Sequence, residues 1–287
     1  MSIKVEPNIT KDPYTFDTDQ NGYPIFTKKN LALLHALLRY DSNYSASEDD
    51  KDGNTYAGML AKNGVPRAYD DLYTVIKSID KFSSTHLASE GRGGGGKGIE
   101  KTAKYIADSM ADGLKERLSS RDDTLINEIA TLGGKGKKNN FSFATKFCAY
   151  ACVFAKDIRS DNFCVYDNVL ANVLPYYAYL YSFEGIDLPE SWRKDPPDLD
   201  RICHRSRNKD KNGDKRIISD IDSLCRQNLE NHDYALYRHI VDSTIRGILE
   251  QSELDNLSYK DFDQLIWYYF KGRNPDEVLA HIPLPES

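Results

Sequence analysis

The segment from Phe141 to Phe154, FSFATKFCAYACVF, contains no acid and a single base, Lys146. Apolar residues fall on every side of it at helical spacing. A helix formed here has no polar face to offer water, so it must lie in the interior with other helices around it. Burial disfavours a charged ammonium, so a lysine inside such a helix is costly and is a candidate for chemistry. The structural alternative is a lysine that threads its stem outward and leaves its head at the surface.

The residues on either side sharpen the choice. Before the apolar run stands a Gly/Lys-rich turn, Gly133-Gly134-Lys135-Gly136-Lys137-Lys138. A glycine turn between two helices exposes backbone N–H groups beside a positive helix N-terminus, which suits an anion such as a phosphate. After the run, twenty-one positions beyond Lys146, comes Asp167, the only acid in the otherwise apolar stretch Phe163 to Leu174. The candidate elements in order are a helix from Thr124, the glycine turn, the apolar helix, a polar turn at Asp157 to Asn162, and a further apolar element.

This segment resembles the helix-hairpin-helix DNA glycosylases, most closely the 8-oxoguanine glycosylase branch. The residues that carry the resemblance are Leu132-Gly133-Gly134-Lys135-Gly136 at the hairpin, Thr145-Lys146 at the family's Thr-Lys, and Asp167 at its distant aspartate. It covers about forty residues. The chain departs from the family pattern by an insertion, since Lys137 to Thr145 separate the hairpin from Lys146, and a reshaped hairpin is expected. The resemblance implies an all-α fold of two helical lobes with a cleft, and a partner in double-stranded DNA that carries a damaged or modified base. It further implies Lys146 as the nucleophile and Asp167 as the assisting carboxylate, with Gly133 to Lys138 on the DNA backbone. It implies base excision, with AP-lyase activity if the amine forms an imine, in repair or in defence against modified phage DNA. Aromatic side chains that could line a base pocket are Phe141, Phe143, Trp267 and Phe270, each of which core packing would equally explain.

Charge is consistent with such a partner only locally. The net charge of -6 argues against a protein that coats nucleic acid in bulk. Residues 134–146 nevertheless carry four lysines and no acid, and residues 201–216 carry seven bases against Asp210 and Asp214. Basic patches on an acidic body fit an enzyme that touches a few phosphates at one face.

No convincing strand alternation and no internal repeat is present, so the chain reads as all-α. Residues 1–29 are polar and turn-rich and are expected to form an arm laid over the core. Residues 30–287 are expected to form the helical domain, with lobes at 99–183 and at 30–98 plus 217–287. Asn30 reads as the cap of a buried helix with His35 in the core, residues 41–57 as a surface loop, and Ile99 to Leu118 as one amphipathic helix. Gly91 to Gly98 matches part of a phosphate-binding loop. It lacks the Ser/Thr for magnesium and a preceding strand, which argues against a nucleotide site.

No cofactor or metal is expected. The five cysteines include no CxxC pair, His204 has no companion at zinc spacing, and the cluster that would hold an iron–sulfur centre is missing. Reduced thiols in the core are the reading. No run approaches the ~18 apolar residues of a membrane span, and the N-terminus lacks the apolar core of a signal peptide. A cytoplasmic monomer is expected. Two other classes stay open. One is a catalytically silent helix-hairpin-helix DNA-binding protein. The other is an all-α HEPN-like ribonuclease using Arg226 and His232, which stand at the Arg-x(4–6)-His spacing.

Overall fold

A computed structural model of the chain describes residues 5–40, 55–83, 85, 87, 97–134, 140–181 and 234–270. Lys135 to Lys138, Gly91 to Gly96, the basic stretch 201–216, Arg226 and His232 lie outside the described residues. Ten helices occur among the described residues: α1 (Lys28–Tyr40), α2 (Tyr56–Asn63), α3 (Tyr69–Ser83), α4 (Lys97–Ser109), α5 (Leu114–Ser119), α6 (Thr124–Thr131), α7 (Phe141–Phe154), α8 (Asn168–Tyr181), α9 (Tyr234–Gln251) and α10 (Tyr259–Phe270). Extended pairing among the described residues is limited to two isolated bridges, Asn8 with Thr18 and Thr18 with Pro24. The fold is all-α, as the sequence implied. None of these helices is long and apolar enough to cross a membrane.

The chain divides into two compact units. One holds residues 55–83, 97–134 and 140–166 with Tyr234 and Ala235; the other holds 5–40, 167–181 and 236–270. The boundary falls at Asp167, and residues 55–83 group with the hairpin helices rather than with the C-terminal ones.

In the first unit α7 is the helix that the others surround. It packs against α2, α3, α5 and α6, and ten of its residues are buried, from Phe141 and Phe143 through Lys146 to Cys152. An uncharged face all round leaves it no other stable place. The single amphipathic helix expected over Ile99 to Leu118 is two helices, α4 and α5. The break ends at Gly113, whose φ of 136° is open only to glycine. Breaking there lets α4 pack on α3 while α5 packs on α7. The surface loop expected over 41–57 lies outside the described residues up to 54, and its end is already helical: α2 starts at Tyr56, and Thr55 caps it by accepting from the Gly58 N–H.

Arg117 of α5 fixes the entrance to the hairpin. Its guanidinium meets Glu128 in a two-pronged pair at 2.7 and 2.9 Å, Asp122 at 2.6 Å and the Thr124 hydroxyl at 2.9 Å. These bonds tie α5 to the start and the middle of α6, with the planar fork that arginine alone provides. Burial would raise the Asp122 carboxyl. The Thr124 hydroxyl and the Arg117 guanidinium more than offset it and hold the group below its ordinary value.

α6 then ends in a left-handed turn. The Leu132 N–H reaches the Ile129 carbonyl at 3.3 Å and the Gly133 N–H reaches the Glu128 carbonyl at 3.0 Å, the hydrogen-bond pattern of a Schellman cap. Leu132 and Gly133 both have positive φ, 50° and 70°. A Cβ on Gly133 would stand 2.5 Å from the Tyr105 hydroxyl oxygen, so α4 presses directly on the turn.

In the second unit the N-terminal segment is anchored through two buried carboxylates, Asp17 and Asp19, while the rest of residues 5–23 is exposed or half-buried. Asp17 is buried, accepts from the Thr10 N–H at 2.9 Å and pairs with Lys29 at 2.9 Å. Asn30 accepts from the Asp17 N–H at 2.8 Å and donates to the Asp17 and Ile25 carbonyls. It is therefore a buried clasp one turn inside α1. The cap is Thr27, whose hydroxyl accepts from the Asn30 N–H. Buried Asp19 accepts from the Tyr176 hydroxyl of α8, and Tyr177 donates to the Pro24 carbonyl at 2.7 Å. Phe26 sits between Tyr177 and Phe262. His35 is exposed, not in the core: its ring lies 2.7 Å from Asp261 of α10. The apolar positions of α1 that are buried are Leu33, Leu34, Leu37 and Leu38, and residue 35 falls off that stripe.

Two outcomes test this account. Gly133→Ala is expected to lower stability by about 1–2 kcal/mol through left-handed backbone strain and the Tyr105 clash. In a Tyr105→Ala background the loss should shrink, as measured by urea denaturation of both pairs. Asp122 has its folded pKa depressed, so its contribution is present above an unfolded value near ~3.9 and is lost as pH falls through the folded value. Melting temperature should therefore fall more steeply below about pH 4 for wild type than for Asp122→Asn.

Candidate functional site

Lys146 stands on the second turn of α7 with its side chain 7% exposed. Its Nζ donates to the backbone carbonyl of Ser83 at 3.1 Å. Ser83 is the last residue of α3, so this carbonyl is one of those that the helix itself cannot satisfy, at the negative end of its dipole. An ammonium has three donors, and among the described residues this carbonyl is the one partner Lys146 has. No carboxylate among them pairs with it. Thr145, just before it, ties α7 to the chain ahead of α8: its hydroxyl accepts from the Tyr166 N–H at 3.0 Å.

Around the same end of α3 lies a group of aromatic side chains. Tyr150 is one turn beyond Lys146 on α7, and its hydroxyl is 3.4 Å from the Ser83 hydroxyl. Tyr150 stacks on Tyr56 with ring centroids 4.7 Å apart. Tyr56 meets Phe82 edge-on at 6.4 Å, and Phe154 meets both Tyr56 and Tyr150. The candidate site is thus a buried amine on a helix-end carbonyl, with Tyr150 one turn along its own helix and Tyr56 stacked on Tyr150. The period-four relation of Lys146, Tyr150 and Phe154 was available in the sequence. Tyr56 and Phe82 are far from them along the chain and carried no such signal.

The other anticipated residues are distributed as follows. Phe141 is buried against Tyr166 and Tyr234, and Phe143 is buried beside Phe147. Gly133 and Gly134 are exposed at the turn after α6. Asp167, Trp267 and Phe270 belong to the other unit. Phe270 packs with Tyr23, Tyr177 and Tyr269 there. Asp167 is 8% exposed and opens α8: its Oδ1 accepts from the Leu170 N–H at 2.9 Å, a helix N-cap. Among the described residues its Oδ2 has no hydrogen bond.

A family model described only as an N-terminal domain, HI_0787_N, matches residues 34–153. The match spans less than half of the chain; it includes the hairpin turn and Lys146 and stops one residue short of the end of α7. No curated protein and no solved structure matches the chain.

Cys148, Cys152 and Cys164 are buried and form no disulfide among the described residues. Burial pushes the Cys148 thiol well up, and it pushes Cys152 up to about 12. A thiolate is what attacks an electrophile, so these groups are core and not nucleophiles. No group of three metal-ligating side chains occurs among the described residues. The measurement that checks the thiols is alkylation by iodoacetamide at pH 8, read by peptide mass. Cys148 and Cys152 should stay unmodified in the folded protein and react on unfolding.

Proposed function

We propose that this chain is a DNA glycosylase that removes a modified base by attack of the Lys146 amine. The observation that supports the reading is the setting of that amine. It is buried on an otherwise uncharged helix after a glycine turn, with no ion pair among the described residues. A lysine placed only for solubility would not be enclosed in this way.

In the proposed reaction the neutral amine attacks C1′ of the extruded nucleotide. A bond forms between Nζ and C1′, the bond from C1′ to the base breaks, and the base leaves with a proton. Opening of the sugar ring gives an imine, from which loss of the 2′ proton expels the 3′ phosphate and cuts the strand. Asp167 is proposed as the carboxylate that stabilises positive charge on the sugar as the base departs. The exposed turn at Gly133-Gly134 would receive a backbone phosphate, as helix-hairpin-helix turns do. Extrusion of the nucleotide costs a few kcal/mol, which stacking against aromatic rings offsets. Tyr150, one turn beyond Lys146 on the same helix, is the ring proposed for that role.

One observation favours a second reading. The amine satisfies an end carbonyl of α3, which would account for Lys146 without chemistry and leave a silent DNA-binding module. The two readings separate in borohydride trapping on duplexes carrying an abasic site, 8-oxoguanine, uracil or hypermodified cytosine. The glycosylase reading expects a covalent adduct with wild type that disappears in Lys146→Gln. It also expects Asp167→Asn to slow base removal by about 100-fold or more with little loss of stability, because asparagine caps a helix as well as aspartate does. DNA binding without adduct or alkali-labile sites on any duplex would overturn it and leave the silent module.

A further inference from the structure

The turn after α6 uses up its own backbone donors. The Leu132 N–H reaches the Ile129 carbonyl at 3.3 Å, the Gly133 N–H the Glu128 carbonyl at 3.0 Å and the Gly134 N–H the Thr131 carbonyl at 3.0 Å. A Schellman ending turns these groups inward to satisfy the last carbonyls of its helix, so none of the three is left for a ligand. A phosphate seated at Gly133-Gly134 therefore needs a donor from elsewhere in the unit.

Helix α4 supplies one. The Tyr105 phenol lies along the Gly133 backbone: a Cβ there would stand 2.5 Å from its hydroxyl oxygen and 2.9 Å from the two nearest ring carbons. Gly133 and Gly134 are exposed and Tyr105 is half-buried, so the ring is held by the protein while its tip stands at the turn. Among the described residues the hydroxyl makes no hydrogen bond and is not sealed from solvent. Burial, and after it the Glu128 carboxylate, raise the phenol above its ordinary pKa, so the hydroxyl keeps its proton and can donate it.

Lys101 stands one turn before Tyr105 on α4 and is exposed. Residues four apart share a helix face, and a helical side chain leans toward the turn before it, which puts the tyrosine and the lysine on one side of α4. Among the described residues Lys101 has no ion pair. The acids nearby are engaged or turned away. Glu128 lies in the Arg117 fork at 2.7 and 2.9 Å, and Asp108 pairs with Lys104 at 2.7 Å. Glu100, five residues from Tyr105, falls about 140° round the helix from it. A hydroxyl donor with an ammonium on the same face is a combination that suits a phosphodiester.

We infer that Tyr105 is a phosphate-contact residue: its hydroxyl donates to a DNA backbone phosphate seated on the exposed Gly133-Gly134 turn, with the Lys101 ammonium beside it. The inference rests on the glycosylase reading for its partner, double-stranded DNA, which the silent module shares. It gives Gly133 a second use, since the missing Cβ leaves the phenol room to reach the turn. The contact fixes the register of the duplex and reads no base.

The test is fluorescence anisotropy with a labelled duplex carrying a tetrahydrofuran abasic analogue, repeated over a range of salt concentrations. Tyr105→Phe keeps the ring and removes the donor. It is expected to weaken binding about tenfold and to leave the slope of log affinity against log salt unchanged, because no charge is lost. Lys101→Gln is expected to make that slope shallower by about 0.9. Neutral methylphosphonates placed singly along the duplex should find one position at which the Tyr105→Phe loss shrinks to within twofold. A ring that only props the turn predicts Tyr105→Phe within twofold of wild type on every duplex and loss in Tyr105→Ala alone, which would overturn the inference. Borohydride trapping of wild type separates this outcome from the fate of the glycosylase reading. Trapping without a Tyr105→Phe binding loss would overturn the contact and keep the glycosylase. A binding loss without trapping on any duplex would uphold the contact and overturn the glycosylase. A wild type that does not bind the duplex would overturn both.

Discussion

The interior position of α7 is the constraint from which the rest of its unit follows. A helix that is apolar on every side is stable only where other helices cover each side, and α2, α3, α5 and α6 do so. The cost of including Lys146 is met by routing its ammonium to the end of α3, where an orphan carbonyl waits. Helix-end carbonyls lack partners by geometry, so one bond relieves both a buried donor and a buried acceptor. The amine is thereby held at a fixed place beside Tyr150 and Ser83, not left to sample the surface.

Much of this was legible in the chain itself, because it followed from periodicity. The all-α class, the buried character of 141–154 and the amphipathic stripe of α4 are statements about which positions face inward. What was not legible depends on contacts distant in sequence. His35 reads as core because its neighbours are leucines, yet it sits off their stripe and faces Asp261. Asn30 reads as a cap because it precedes an apolar run, but its amide is complementary to the Asp17 and Ile25 backbone and is drawn inside. Gly113 looked like an ordinary helix interior residue until its φ was known. The candidate site divides in the same way. Lys146 stood out by charge against an apolar background, whereas Tyr56 and Phe82 come to it only through the packing of α2 and α3.

The second unit solves a different problem. Its N-terminal segment is too polar to be held by apolar burial alone, so buried carboxylates hold it. Asp17 and Asp19 each accept several hydrogen bonds from backbone and side-chain donors. Removing a partner from a buried charge is strongly destabilising. Such a segment is specified by geometry more than by hydrophobicity, so its polar, turn-rich sequence carried no apolar pattern from which these contacts could be read.

The turn after α6 has a further implication, for the order of folding. The left-handed position is occupied first by Leu132, at φ 50°, a conformation that costs a non-glycine residue roughly 1–2 kcal/mol. A leucine does not adopt it without help. The turn is held by its two backbone bonds, by the Arg117 fork across α6 and by Tyr105 pressing on Gly133. A hairpin peptide cut from the chain would lack α4 and α5 and would relax to an open connection. The turn is therefore a product of tertiary assembly and not its nucleus: α4 and α5 must be in place before this loop acquires the shape that a phosphate could recognise.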